Sequence, residues 1–310
     1  MPELPEVETI KRELKPRIIN QKIIGCRILR KDIIGHPTPK KFSQLIINET
    51  ILDVQRRAKY LILVLSSEKK LIFHLRLSGK IFIFDAKQAL PLQGSNHKFQ
   101  MSNVKCQMKN GKISTYLKTK NERGEKLRFV RLIIKLENKW LIFSEPRALG
   151  RVYLIKKSER PNVLKGFFRL SHEPLSPEYD FQYFSNKIRN RKAKIKSVLL
   201  DQCMCAGVGN IYSDEALFHA GIKPTRKANT LETDEIFKLL MAMKQVLRKG
   251  IDEFGTTVSD YKRTDGKSGN FQKFLHVYDR EGQPCRICGN TIVLTRIGNR
   301  STRYCPKCQK

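Results

Sequence analysis

Four cysteines near the C-terminus are spaced for metal. Cys285, Cys288, Cys305 and Cys308 read C-x2-C-x16-C-x2-C, within the template of a four-thiolate zinc site. Each C-x-x-C places two thiolates on one tight knuckle, and two knuckles close a tetrahedron at about 2.3 Å Zn–S. Disulfides are the weaker reading. The opening residues MPELPEVE carry acids and prolines where a secretory signal has a basic start and an apolar run. The expectation is one structural Zn2+ with no open position for catalysis.

The other end of the chain offers a nucleophile. Methionine is commonly trimmed before small residues, which would leave the secondary amine of Pro2 as the N-terminus. An α-amino group has a pKa of about 7.7–8, so a useful fraction is neutral at pH 7. A secondary amine attacking an aldehyde-level carbon gives a cationic iminium that cannot shed a proton to become a neutral imine. It is a persistent electron sink, as covalent amine catalysis needs. Glu3 and Glu6 are close in sequence and could move protons. Taken alone, a proline helix start with acids compensating the dipole explains the same residues. At Asn210 a Gly-rich turn becomes a helix, where backbone N–H groups favour a phosphate; a plain N-cap is the competing reading.

The elements that must position these groups belong to a 310-residue chain, whose length alone suggests two domains. Its formal charge of +32 attracts polyanions, nucleic acid first, because bound Lys and Arg release condensed counterions. A lysine-rich surface from a biased genome is the bland alternative. No run approaches the ~18 consecutive apolar residues of a membrane span. Short Ile/Leu/Val runs at 22–30, 59–65, 70–77, 80–84, 130–136 and 139–143 read as strands of a sandwich or barrel. Helices are expected from Pro5, with Val7, Ile10 and Leu14 on one face, and over 39–48. Polar residues 86–125 read as a long, mobile excursion from a hairpin. After a linker-like stretch over 157–177, helices are expected at about 178–188, 191–201, 208–219 and 231–251. An irregular stretch over 255–273 follows, and then the cysteine module with a β-hairpin.

Five segments, in order, resemble the formamidopyrimidine-DNA glycosylase family. They are the opening Pro2-Glu3-Leu4-Pro5-Glu6, the stretch Gln55-Arg56-Arg57-Ala58-Lys59-Tyr60-Leu61, and His74-Leu75-Arg76-Leu77-Ser78-Gly79. Ala206-Gly207-Val208-Gly209-Asn210-Ile211-Tyr212 and the four-cysteine finger complete the series. The resemblance implies an α+β multidomain protein: a β-sandwich catalytic domain over 2–156 with an insertion at 86–125, a helix–two-turn–helix domain over 171–273, and a zinc-finger hairpin over 274–310. DNA would lie in the cleft between the lobes. It further implies a bifunctional glycosylase and abasic-site lyase for oxidised purines, acting as a monomer on damaged double-stranded DNA in the bacterial cytoplasm, in association with the nucleoid and with no membrane partner.

The resemblance also assigns roles. Pro2 would attack C1′ of the damaged nucleotide, and Glu3 would supply the acid that helps open the sugar. Lys59 would assist β-elimination and bind phosphate. Arg300 would contact phosphate and assist δ-elimination. Arg147 would enter the duplex beside the flipped base, and Arg191, Lys196 and Asn210 would face DNA. His74 could contact phosphate, although a lone strand histidine is more often structural. The stretch from Gly255 to Phe271 resembles the loop that caps an everted purine. The chain departs from the family where a methionine wedge reads Leu77 and a phenylalanine reads Leu149. It departs again where Lys126-Leu127-Arg128-Phe129-Val130 loses a DNA-contacting histidine. Two other readings stay open: the same chemistry on oxidised pyrimidines, as in endonuclease VIII, and a non-enzymatic DNA-binding zinc protein.

Overall fold

The computed structural model describes residues 2–85, 104–109, 112–120 and 126–310. Helix α1 (Leu4–Ile18) buries Val7, Ile10, Leu14 and Ile18, the one-faced stripe of a 3.6-residue period. A second helix, α2, covers Pro39–Ile46, with proline in its first turn. The strands are β1 (Ile23–Ile28), β2 (Ile34–His36), β3 (Ile51–Arg57), β4 (Tyr60–Leu65), β5 (Lys70–His74) and β6 (Lys80–Asp85). They continue with β7 (Val104–Lys109), β8 (Lys112–Lys120), β9 (Lys126–Arg128), β10 (Val130–Leu136), β11 (Lys139–Ser144) and β12 (Arg151–Ile155).

Two sheets, ordered β1-β10-β11-β6 and β2-β12-β5-β4-β3, share one apolar core with α1. Phe73 of β5 meets Phe143 of β11 edge-on at 5.9 Å, so the sheets pack face to face as the expected sandwich. The outer face of the first sheet carries a second apolar cluster, including Phe82, Leu127, Ile133 and Trp140. That is why β10 reads as a near-continuous apolar run: it is buried on both faces. Strand β3 escaped the sequence reading because a register shift between Ile51 and Asp53 breaks the period of two that marks a half-buried strand. Most of the expected excursion at 86–125 lies outside the described residues. Within it, β7 pairs antiparallel with β8, which pairs with β9.

Just before β3, the buried carboxylate of Glu49 accepts from Lys69 Nζ at 2.7 Å, Ser66 Oγ at 2.9 Å and the Ser67 N–H at 3.0 Å. Burial raises its pKa, but the Lys69 ammonium and the serine donors outweigh burial and hold it down at about 2. A carboxyl whose folded pKa lies below its unfolded value stabilises above the unfolded pKa and loses that contribution as pH falls through the folded one. Glu49→Gln should therefore cost about 2 kcal/mol near pH 7. In denaturant titrations the gap to the unmodified protein should narrow progressively from roughly pH 5 to about pH 2. A gap independent of pH would show that packing, not charge, is what the variant loses.

The chain resolves into two compact units, the first comprising Pro2, Glu6–Lys165 and Ser259–Gly269, the second Glu3–Pro5, Gly166–Val258 and Asn270–Lys310. After the short α3 (Lys165–Phe168) come α4 (Phe181–Arg189), α5 (Ile195–Leu200), α6 (Asn210–His219) and α7 (Thr233–Asp252). Asp180 caps α4 by accepting the Tyr183 N–H at 2.7 Å. Glu232 and Glu235 form a capping box on α7. Helix α6 is buried from Ile211 to Phe218, including Asp214 and Glu215. Charges placed there require partners, and those partners attach the C-terminal hairpin β13 (Val293–Ile297) and β14 (Arg300–Tyr304).

Candidate active site

Pro2 is buried at the start of the chain's first helix. The turn between β3 and β4 presents Lys59, with Ala58 in the left-handed region at φ 51°. Arg56 fixes this turn to α1. Its Nε donates to Glu8 Oε2 at 2.8 Å and its Nη1 to the Ala58 carbonyl at 3.2 Å. Burial raises the Glu8 pKa, but Arg56 and Lys11 together hold it below the ordinary range. Glu8 is thus a structural anion that orients the lysine turn.

His74 sits opposite Tyr60 in the β4–β5 pair and meets its ring edge-on at 4.3 Å. Burial, then the charges of Arg76 and Lys59, push its pKa down to about 3. Its Nδ1 accepts the Arg76 N–H at 3.1 Å, so the neutral ring carries its proton on Nε2. His74 can donate one hydrogen bond to a phosphate but brings no charge.

Two loops of the first unit are joined by a residue that sequence reasoning missed. Glu145 is fully buried. Its carboxylate accepts the N–H of Arg147 at 3.1 Å, the N–H of Leu149 at 2.6 Å and the hydroxyl of Ser78. It therefore sets Arg147 and Leu149 against the loop that carries Leu77. Nothing local in the sequence distinguishes it from a surface acid. Arg147 itself is exposed and pairs with Asp260 at 3.0 Å. Asp260 lies in the stretch 259–269, which is anchored in this unit. Tyr261 is buried in the sandwich core, and Glu13 accepts from Arg263 Nε and from the Thr264 N–H (2.9 Å) and hydroxyl (2.7 Å).

In the second unit, Glu3 Oε1 accepts the N–H of Ile211 in the first turn of α6 at 3.0 Å. The acceptor at this helix N-terminus is a side chain of the protein itself. Gly209 is the N-cap, so Asn210 is not. A Cβ on Gly209 would fall 2.3 Å from Glu3 Cδ, so only glycine lets the carboxylate seat there. The preceding Gly207 takes φ 93°, which makes the turn and delays the helix to residue 210.

Lys196, expected to face DNA, is instead completely buried. Its ammonium donates to Asp214 Oδ1 at 2.6 Å and to the Ser301 carbonyl at 3.1 Å. Burial pulls the Lys196 pKa down and pushes Asp214 up to about 7, with their mutual attraction opposing both shifts. Asn210 Nδ2 donates to the same Ser301 carbonyl at 3.0 Å, and Asp214 Oδ2 accepts the Arg303 N–H at 3.2 Å. Lys196 and Asn210 thereby hold β14 to the helices, leaving Arg300 exposed at the hairpin turn. Arg191 is exposed between α4 and α5. Pro2, Lys59, His74 and Arg147 thus fall in the first unit, and Glu3, Arg191, Lys196, Asn210 and Arg300 in the second.

The four cysteine sulfurs converge, all within 4.8 Å of one another. The Cys288–Cys305 and Cys285–Cys308 separations are 3.5 and 3.9 Å. A tetrahedron with about 2.3 Å Zn–S bonds needs sulfurs about 3.8 Å apart, so the set fits a structural zinc ion. Gln309 locks the second knuckle, accepting the Cys305 N–H at 2.8 Å and donating to the Ile222 carbonyl at 2.9 Å. Among the described residues, no helix is long and apolar enough to cross a membrane.

Known proteins resemble this chain along its whole length. Residues 1–152 match the formamidopyrimidine-DNA glycosylase N-terminal domain, 170–262 its H2TH domain, and 282–310 a zinc finger found in FPG and IleRS. The finger accordingly holds one structural zinc. The chain is 38% identical over 310 residues to the formamidopyrimidine-DNA glycosylase of Pelotomaculum thermopropionicum, covering 100% of this chain and 99% of that one. It is also 38% identical to the enzyme of that name from Salmonella dublin, with 100% of both chains covered. Among solved structures it resembles Lactococcus lactis Fpg in complex with DNA containing an abasic site, with TM-score 0.78, 30% identity and 99% of each chain covered. It likewise resembles MutM (Fpg) of Thermus thermophilus, with TM-score 0.79, 31% identity and coverage of 99% and 98%. The match extends along the whole length of these relatives' chains, and with all three domain models matched in order the protein belongs to the formamidopyrimidine-DNA glycosylase family.

Proposed function

We propose that this chain excises oxidised purines, 8-oxoguanine and formamidopyrimidines, from duplex DNA and then cleaves the strand at the abasic site. The glycosidic bond is inaccessible within a stacked duplex, so the nucleotide must be flipped out. The neutral Pro2 amine attacks C1′, and the bond to the base breaks with its electron pair leaving on the base. The proton that the bonded nitrogen must lose passes to Glu3, which delivers it to the ring oxygen as the C1′–oxygen bond breaks and the nitrogen lone pair forms the iminium. The resulting iminium acidifies C2′, and elimination expels the 3′ phosphate. Lys59 serves this β-elimination by phosphate contact and proton transfer, and Arg300 contacts phosphate and assists the δ-elimination that then expels the 5′ phosphate. Arg191 and His74 contact the backbone. Lys196 and Asn210 act by holding the β14 arm in place. Zinc maintains the finger and takes part in no bond change.

The observation that carries this reading is the seat of Glu3. The carboxyl next to the proposed nucleophile occupies the α6 N-terminus in a space that only glycine at 209 leaves open. Gly209→Ala should displace it. A positioned acid or base contributes typically about 10²–10⁴-fold, so excision should fall by about 10²-fold while affinity for an abasic-analogue duplex changes little. A panel of duplexes carrying 8-oxoguanine, formamidopyrimidines or oxidised pyrimidines separates this reading from the pyrimidine alternative. Faster cleavage of the pyrimidine lesions would replace it.

The opposite base should matter too. Leu77 and Leu149 supply apolar bulk to the gap left by the flipped nucleotide but no hydrogen-bond donor. Arg147 supplies one. Its pairing with Asp260 is at the surface, where such pairs are worth about 0–1 kcal/mol, so it is easily exchanged for a base. A guanidinium suits the acceptors of cytosine better than the exocyclic amine of adenine, and a good contact discriminates by roughly 1–3 kcal/mol. Excision of 8-oxoguanine should be faster opposite cytosine than opposite adenine. Arg147→Ala should flatten the preference in single-turnover assays; an undiminished preference would shift the role to another basic side chain.

A further inference from the structure

A second group of metal-ligating side chains lies outside the cysteine finger. Glu215 and His219 are four residues apart on α6, on one face of the helix, and His276 lies on the segment leading into the finger. One ligand atom from each falls within 4.8 Å of the others. We propose that Glu215, His219 and His276 form a second site for a late first-row divalent cation, such as Zn2+, Co2+ or Ni2+, with one position open to water.

Several observations bear on it independently. His276 Nδ1 is buried and has no hydrogen-bond partner among the described residues, an expense that a buried polar atom ordinarily avoids. It stands 3.6 Å from Glu215 Oε2, too long for a hydrogen bond. Two ligands bonded at about 2.1 Å to one tetrahedral ion lie about 3.4 Å apart, so this spacing suits a metal placed between them. The carboxylate has capacity for it. Oε1 accepts two N–H groups, from Val277 at 3.0 Å and Tyr278 at 2.9 Å, whereas Oε2 accepts one, from His276 at 2.9 Å. With about two lone pairs per oxygen, Oε2 keeps one for coordination.

The rings are held ready. His276 stacks on Phe218 at 5.1 Å and meets His219 edge-on at 4.6 Å. Phe218 packs in the same cluster as Cys285 and Cys305. His219 is exposed, so its ring can turn toward the ion and water can complete the shell. Two imidazoles and one carboxylate suit zinc and its neighbours and disfavour Mg2+ or Ca2+, which prefer all-oxygen sets. A bound ion would join the C-terminal end of α6 to the segment 276–278, adding a cross-link beside the finger without touching its four thiolates.

The test uses full-length protein without a histidine tag, loaded with one zinc at the finger and titrated with Co2+. The unmodified protein should take up a second equivalent, removable by a mild chelator and lacking the intense charge-transfer absorption of a thiolate site. Its thermal midpoint should rise with added Co2+. His219→Ala and His276→Gln should each weaken uptake more than about 100-fold, since even outer-shell losses cost about 10–100-fold. Elemental analysis should still find one zinc in both variants, which establishes that the finger is intact. Failure of the unmodified protein to bind a second equivalent would overturn the proposal, as would equal uptake by either variant. Glu215 is left unchanged because its three backbone hydrogen bonds make it part of the fold.

Discussion

Blocking the N-terminal amine of the processed protein should abolish the borohydride-stable crosslink to a duplex containing 8-oxoguanine. The expectation follows from the chemistry of a secondary amine. Attack at C1′ makes an iminium that cannot deprotonate to a neutral imine, so the adduct persists and hydride can reduce it. Lysine side chains cannot take over readily, because a pKa of about 10.4 leaves few of them neutral at pH 7. Pro2→Gly should give a weaker crosslink rather than none, since a primary amine still forms an iminium but one that loses its proton. Undiminished trapping after the amine is blocked would falsify the assignment of Pro2 and direct attention to Lys59. Retention of Met1, read from the intact mass, would predict the same loss.

The second large effect concerns zinc. Cys288→Ser should release the metal and with it the finger, because a structural zinc contributes about 10–16 kcal/mol and that binding energy is largely the module's own folding energy. The hairpin does have other attachments. Ser301 accepts from Lys196 and Asn210, and Arg303 is held by Asp214. These anchor β14, but the knuckles around Cys285 and Cys305 would lose their common centre. DNA affinity should fall by orders of magnitude, with the sandwich still folded on its own core. Elemental analysis, near-ultraviolet circular dichroism and duplex binding read the three parts of the expectation. Full affinity in verified metal-free protein would remove the finger from the DNA interface.

The cysteine finger, the β-rich first half and the helices of the second unit were legible in the sequence because their signals are local. A knuckle is set by two cysteines and the two residues between them. A helix such as α1 is set by apolar residues on one face. Helix α6 was located by its Gly-rich turn, although its start moved to residue 210 once Gly209 proved to be the cap. Strand β3 failed the same local test because its register shift breaks the alternation.

The environment of a charge is not local, and there the sequence alone determined less. Among 61 lysines and arginines, nothing in the chain's order separates Lys196, sealed against Asp214, from exposed Arg191 in the same basic segment. The sequence placed Glu3 beside Pro2; only the tertiary structure seats it on the N–H of Ile211, 208 residues away, in room left by a missing Cβ. Likewise His74 is neutral because of burial and two neighbouring cations, and Glu145 controls the Arg147 loop through hydrogen bonds that include one from Ser78, 67 residues away. Residue types and spacing fixed which chemistry was available. Desolvation and long-range contacts decided which of those groups are buried supports and which remain exposed.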